Sequence, residues 1–267
     1  MDLPAPLPSP PLPEAENHIY PITREDLASQ ERLQSILAGE TGLHWSTDWS
    51  TAFYISLAKL GFISTAIHYE YNGGCVPLLL PEIQPAYCVL DWENLHAGKS
   101  FQRWRRSEKC RAQGYRLEPH HDLLAIVRGI RACHGEKCWV IDQYAALVAA
   151  LQKQGFDPDF EIFTPALLTK SGQLVAGEIG YRVGRTYTSV TGFLDRTGNA
   201  HNHAGKLQMH LLADYLQDKG YAFWNLGHPG MQYKLDLGGK VLPRQEFLRR
   251  WLPASAHQWS GISSSNL

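Results

Sequence analysis

The chain has 267 residues, 44% of them hydrophobic and 19% charged, and its formal charge of −1 gives it no global attraction to nucleic acid. That length suits one large domain or two smaller ones around a real buried core. No apolar run approaches the ~18 residues of a membrane span, no secretion signal is visible, and five cysteines without a framework spacing imply reduced thiols and a cytoplasmic setting.

Leu3–Pro13 is Pro-rich and reads as an extended tail. Ile22–Leu37 reads as a helix, with Thr23 as its cap, Glu25 in its first turn, and Leu27, Leu33 and Leu37 at helical intervals. Trp49–Leu60 reads as a second helix, capped by Ser50 or Thr51 and stopped at Gly61. Ile63–Tyr69, Val76–Leu80 and Tyr87–Asp91 have strand character, with a turn at Asn72-Gly73-Gly74. Helices are then expected over Lys99–Gln113, Asp122–Cys133 and Gln143–Gln154, with a strand at Tyr115–Glu118. Strands at Phe160–Phe163, Leu174–Val183 and Arg185–Phe193 follow, turning at Ser171-Gly172 and Gly184. Helix Ala204–Lys219 and strand Tyr221–Asn225 come next. Gly238-Gly239 then turns the chain, and Pro243-Arg244 opens a short helix carrying Phe247 and Leu248.

Several residues invite a chemical reading. Cys133 and Cys138 flank His134, but no second ligand pair lies near, so two packed thiols are expected and no metal. His203 and His210 lack an i, i+4 histidine partner, and Asn202 or His203 is expected to cap the following helix. Lys99, Arg103 and Arg106 are spaced for one helix face, widened by Arg105, Lys109 and Arg111 with Phe101 and Trp104 among them. Such a stripe either neutralises RNA phosphates or is an ordinary solvated face.

Leu237, Gly238, Pro243, Arg244, Phe247 and Leu248 are similar to the closing segment of the leucyl/phenylalanyl-tRNA–protein transferases, of the type Ser-Leu-Gly-Ala-x-Glu-Ile-Pro-Arg-Arg-x-Phe-Leu. Asn94–Arg106, Cys138–Asp142 and Val175–Gly184 resemble three more segments of that family, in the same order, so the resemblance covers roughly Pro77 to Trp251. It implies an α+β (mixed α/β) fold: a small N-terminal α/β domain at 17–85 and a GNAT acyltransferase-like domain at 86–252. Residues 1–16 and 253–267 are left as tails. It further implies an aminoacyl-tRNA donor, a protein or small-amine acceptor, a monomer, no cofactor and no membrane. The Gly/Arg-rich pyrophosphate loop usual in GNAT enzymes is not evident in Asp195–Ala204, which fits a donor other than acyl-CoA.

Aminoacyl transfer needs the ester held, the attacking amine deprotonated and the oxyanion stabilised. The resembled family uses a Glu in Gly-Glu-Ser-hydrophobic-Phe and an Asp in Ile-Asp-Cys-Gln. Here the first motif aligns with Ser189–Phe193, with Thr191 expected in place of the Glu. The second aligns with Phe223–His228, with Asn225 in place of the Asp and Gly227 or His228 in place of the Gln. Thr and Asn orient by hydrogen bonds but are not bases near neutral pH, so His228 is the substitute base, unless it merely belongs to the turn Gly227-His-Pro-Gly230. Gln232 and Tyr233 in the same loop either contact substrate or pack it. Lys206, matching a family lysine, faces a terminal phosphate or only solvent. Trp139, Tyr181, Phe193 and Leu80 either line an apolar donor pocket or fill core. Leu79–Pro85 lacks the tryptophans and arginine of the family's corresponding run, so donor specificity does not transfer. A GNAT-type enzyme with another acyl donor, and a non-catalytic tRNA- or protein-binding relative, remain open beside the aminoacyltransferase reading.

Overall fold

Serine hydroxyls compete with the backbone for helical hydrogen bonds, and they break two of the expected helices. The computed structural model describes residues 19–40, 42–71, 73–153, 158–196, 201 and 203–255. After β1 (Tyr20–Pro21), Thr23 and Asp26 form a reciprocal capping box on α1 (Arg24–Ala28). Ser29 then leaves helical geometry (φ −88°, ψ 115°) and caps α2 (Gln30–Ala38). The single helix expected over Ile22–Leu37 is thus two. Likewise Ser107 accepts from the Cys110 N–H and divides Lys99–Gln113 into α4 (Lys99–Arg105) and α5 (Glu108–Gln113). Arg106 falls at the corner between them. The expected Pro-rich tail, the turn residue Asn72, the helix end at Gln154-Gly155, Asn202 and residues 256–267 lie outside the described residues.

β2 (His44–Trp45) pairs in parallel with β1. α3 (Thr51–Lys59) is capped by Ser50 and ends at Gly61, whose φ of 93° suits glycine. β3 (Ile63–Tyr71) and β4 (Gly74–Glu82) form an antiparallel hairpin apart from the main sheet. That mixed, eight-stranded sheet contains β5 (Ala86–Leu90), β6 (Arg116–Glu118), β7 (Phe160–Phe163), β8 (Ala166–Leu168), β9 (Leu174–Val183), β10 (Thr186–Leu194), β11 (Phe223–Gly227) and β12 (Lys240–Pro243). Its order is β12-β5-β11-β10-β9-β8-β6, and β7 pairs with the far half of β9. The helices between are α6 (Leu123–His134), α7 (Asp142–Lys153), α8 (Ala204–Asp218), α9 (Gln232–Asp236) and α10 (Arg244–Ala254). Strand β11 starts two residues later than the spacing implies, and nothing in the spacing announces the short β8, α9 and β12.

One face of the sheet, through Ile179, Tyr181 and Val183, packs on α3, α6, α7 and α10. Ile22, Leu33, Phe53 and Leu57 join the same cluster, so the segment 17–85 shares this core. The other face buries Leu212, Ala213 and Leu216 of α8 against Tyr187 and Trp224. Helix α10 closes the first core and two helix ends with it. Trp251 Nε1 donates to the Lys59 carbonyl at the end of α3 (3.0 Å). The buried Arg244 guanidinium donates to Ile83 O (2.9 Å), Gln84 O (3.0 Å), Leu37 O (3.4 Å) and Gly39 O. The last two close α2, where a cation also suits the helix dipole. The Pro-Arg pair of the closing motif is therefore a structural staple.

Candidate active site at the parting of two strands

β10 and β11 run parallel only over Thr186–Thr188 and Phe223–Asn225. Each is then bulged. Val190 is the extra residue between Ser189 and Thr191 against β9, and Leu226 the extra one between Asn225 and Gly227 against β5. Bulges bend a strand and increase its twist, so the two strands separate. Ser189–Leu194 is only half-buried although it belongs to a strand inside the sheet. Gly227, with φ 76°, stands at the end of β11, where a Cβ would come 3.7 Å from Ser189 O.

On the α8 side the opening is polar. Tyr187 Oη donates to Glu178 Oε1 (2.6 Å), Ser189 Oγ donates to the same oxygen (2.8 Å), and Trp224 Nε1 donates to Ser189 Oγ (2.9 Å). Gly180 and Gly192 clear the space, since a Cβ on either would overlap the Tyr187 hydroxyl or Glu178. Glu178 is 9% exposed, and burial pushes its carboxyl above the usual range, against the pull of those two donors and of Lys234. Lys234, 6% exposed, donates to His228 O (2.7 Å); burial lowers its pKa, while Cys88 and Glu178 oppose that shift. Tyr233 is 45% exposed, and its hydroxyl is pushed up to about 12 by burial and by Glu178 and Cys88. Reading by motif misses Glu178, Lys234, Tyr187, Ser189 and Trp224. For Glu178 a signal exists, as the one charge in the apolar run Val175–Tyr181. For Lys234 none does.

The opposite side carries the expected residues. Asn225 is 0% exposed, donating to Thr188 Oγ1 (3.3 Å) and accepting from Gly227 N (2.9 Å), so its amide fixes the end of β11. Thr191 pairs with Ile179 and so shares the face of the main core. Position by position, however, Val190 falls on the family's Glu and Thr191 on its Ser. This corrects the expectation for Thr191: the bulged Val190 packs on the core and supplies no polar group. Trp139 lies edge-on to Tyr144 (4.9 Å), and Phe193 covers Gly129 and Gly177. Both join Tyr181 in one cluster, whose Oη donates to Phe62 O (3.1 Å). Leu80, opposite Thr65 on β4, is half-buried outside that cluster.

His228 is exposed at the mouth, and its Nδ1 accepts from Gly230 N (3.1 Å). A neutral imidazole with that acceptor carries its proton on Nε2, so the outward nitrogen is a donor. Gln232 Nε2 is tied to Asp236 Oδ1 (3.0 Å) within α9. His203 occupies the α8 N-cap at φ 69° without a side-chain cap bond; its ring lies 5.5 Å from Trp104 instead. Lys99, Arg103 and Arg106 are exposed, and Arg105 approaches Asp214 (3.8 Å). Lys206, Phe101, His210 and Tyr233 line a cavity of about 30 Å³ between α4, α8 and α9. Among the described residues no three metal-ligating side chains converge, and no helix is long and apolar enough to cross a membrane.

The family described as leucyl/phenylalanyl-tRNA protein transferase matches residues 89–251, more than half the chain and most of this site. The chain belongs to that family. The family's description is that of tRNA–protein transferases, and the chain has a mixed α/β architecture. No curated protein matches it. Solved structures similar to it include L-PGS from Bacillus licheniformis, at 13% identity and TM-score 0.41 over 64% of this chain and 65% of that one. The C-terminal domain of a putative lysylphosphatidylglycerol synthetase from Agrobacterium fabrum is 13% identical, with TM-score 0.42 over 73% and 64%. A probable N-acyltransferase from Enterococcus faecalis is 12% identical, with TM-score 0.36 over 80% and 46%. The chain spans less than two thirds of the length of each.

Proposed function

We propose that this transferase moves the aminoacyl group of an aminoacyl-tRNA onto an amine, at a protein N-terminus or elsewhere, with the ester held where β10 and β11 part. The acceptor nitrogen attacks the ester carbonyl carbon, the C–N bond forms and the C–O bond to the ribose breaks. The nitrogen loses one proton, the ribose oxygen gains one, and the products are an amide and deacylated tRNA. One observation carries the reading: on α9, Tyr233 lines the cavity bordered by α4 and Lys206, while the next residue, Lys234, reaches His228 O and Gly227 at the end of β11. The basic surface and the reacting position are thereby adjacent.

In this reading Lys99, Arg103, Arg105, Arg106 and Lys206 meet phosphates, which position RNA without reading sequence. Trp139, Tyr181 and Phe193 form the apolar wall toward the donor side chain, and Asn225 with Thr191 shapes the opening. His228 acts through its Nε2 proton, as a donor to the developing oxyanion or leaving oxygen, because Nδ1 is occupied. The test is single-turnover transfer of label from leucyl-tRNA or phenylalanyl-tRNA to a peptide with a free N-terminus. An N-acetylated peptide and labelled acyl-CoA serve as controls. Label is expected in the free peptide from tRNA alone. Transfer from acyl-CoA, or binding of tRNA with no transfer, would overturn the reading.

A further inference from the structure

Glu178 and Lys234 are each more than nine-tenths buried, on the same side of the strand parting, and each keeps hydrogen-bonding capacity to spare. Oε1 of Glu178 takes both the Tyr187 and the Ser189 hydroxyl, whereas Oε2 accepts no hydrogen bond among the described residues. The Lys234 ammonium has three donors, and one of them is spent on His228 O. The two groups feel each other's charge but do not close to an ion pair. Buried charges are ordinarily paired, since leaving one unpaired costs several kcal/mol. A carboxylate and an ammonium held apart, with spare hydrogen-bonding capacity on both, describe a receptor for a ligand with a cation and an acceptor oxygen close together.

We infer that Glu178 and Lys234 form the subsite for the aminoacyl head of the donor, Glu178 Oε2 receiving the α-ammonium and Lys234 Nζ the ester carbonyl oxygen. This rests on the transferase reading above and deepens it. The side chains around the pair fit the role. Tyr187, Ser189 and Trp224 lock the carboxylate in one orientation, and the His228 carbonyl anchors Lys234. A Cβ built on Gly227 would lie 3.9 Å from Nζ and 3.7 Å from Ser189 O, so Lys234 and β10 meet at the end of β11. An incoming ammonium would offset the burial that raises the Glu178 carboxyl. The Lys234 charge meets the oxygen on which negative charge grows as the amine attacks.

The donors that test this are phenylalanyl-tRNA and phenyllactyl-tRNA, in which a hydroxyl replaces the α-amino group. The parent should prefer the amino donor at least tenfold in kcat/KM. Glu178→Gln, which keeps an oxygen for Tyr187 and Ser189, should erase that preference by lowering only the amino donor. Lys234→Met should slow both donors by ~10²–10³, with partial recovery in Lys234→Arg. Melting curves establish that each variant is folded. Binding of the unreactive 3′-phenylalanylamido-adenosine and its phenyllactyl counterpart separates this subsite from the reaction. A binding preference that disappears in Glu178→Gln supports the subsite even where no transfer occurs. Equal preference in parent and Glu178→Gln, in rate and in binding, overturns it.

Discussion

Replacing Arg244 by Met removes a guanidinium that holds four backbone carbonyls from two separate segments, Leu37 and Gly39 at the end of α2 and Ile83 and Gln84 before β5. Hydrogen bonds from a charged donor contribute ~1.5–3 kcal/mol each, and a buried carbonyl left unpaired costs ~1–3 kcal/mol. The four are not additive, because water reaches some of the freed carbonyls and the Met side chain keeps the apolar stem in place. A loss of about 3–5 kcal/mol is therefore expected, a large share of the ~5–15 kcal/mol that holds a domain folded. At ~2–3 °C per kcal/mol for a chain of this size, Tm falls by roughly 6–15 °C. Lys at this position carries a compact head that reaches one carbonyl pair but not both, so Arg244→Lys should fall between Met and the parent. Urea unfolding followed by circular dichroism gives the free energies directly. A loss below about 1 kcal/mol in Arg244→Met, or Lys equal to Arg, would refute the staple.

The raised Glu178 carboxyl makes stability depend on pH. A folded-state pKa above the unfolded one gives stability that is present at low pH and lost as pH climbs from the ordinary 4.5 through the folded value. Glu178→Gln, in which Lys234 loses the carboxylate it faces, should thus gain on the parent as pH rises toward neutrality, by ~1.4 kcal/mol per unit of elevation; a Tm difference that stays flat with pH would contradict the burial argument. Reversing Lys99, Arg103 and Arg106 to Glu should weaken tRNA binding without unfolding the chain, and make log affinity against log salt shallower by ~0.7–0.9 for each phosphate no longer neutralised; an unchanged slope marks a solvated face. Gly129→Leu should drive Phe193 out of its seat against α6 and raise KM for the donor more than it lowers stability, read from kinetics beside melting curves. His228→Ala should slow transfer by ~10²–10³, and His228→Gln should restore part of it, because an amide N–H replaces a ring N–H donor. A base would not be rescued this way.

Apolar strands bounded by turn residues are legible: Leu174–Val183 and Phe160–Phe163 match to the residue, and Gly61 stops its helix as read. The splits at Ser29 and Ser107 are not, because apolar spacing continues unbroken through both and only the hydroxyl's choice of partner decides. β8, α9 and β12 are too short to show a period. At the site, the residues carried over by resemblance are found by position in a motif. The pair Glu178 and Lys234 comes from distant segments that meet only when β9 and α9 approach the same opening. No local pattern announces such a meeting. The misplacement of Thr191 is different in kind: the motif read position by position already sets Val190 on the Glu, with no help from the fold.

Strand β5 is made early and completed late. Its residues Tyr87 to Leu90 are at most 1% exposed in the finished fold, yet both of its neighbours, β11 and β12, lie after residue 222. On the ribosome this apolar ribbon stands with both edges unpaired until the last fifth of the protein has emerged. Synthesis at ~5–20 residues per second makes that interval several seconds or more, long enough for an open strand edge to find another chain. Helper proteins that bind exposed strands during translation would therefore act on Tyr87–Leu90 before anywhere else in the main sheet.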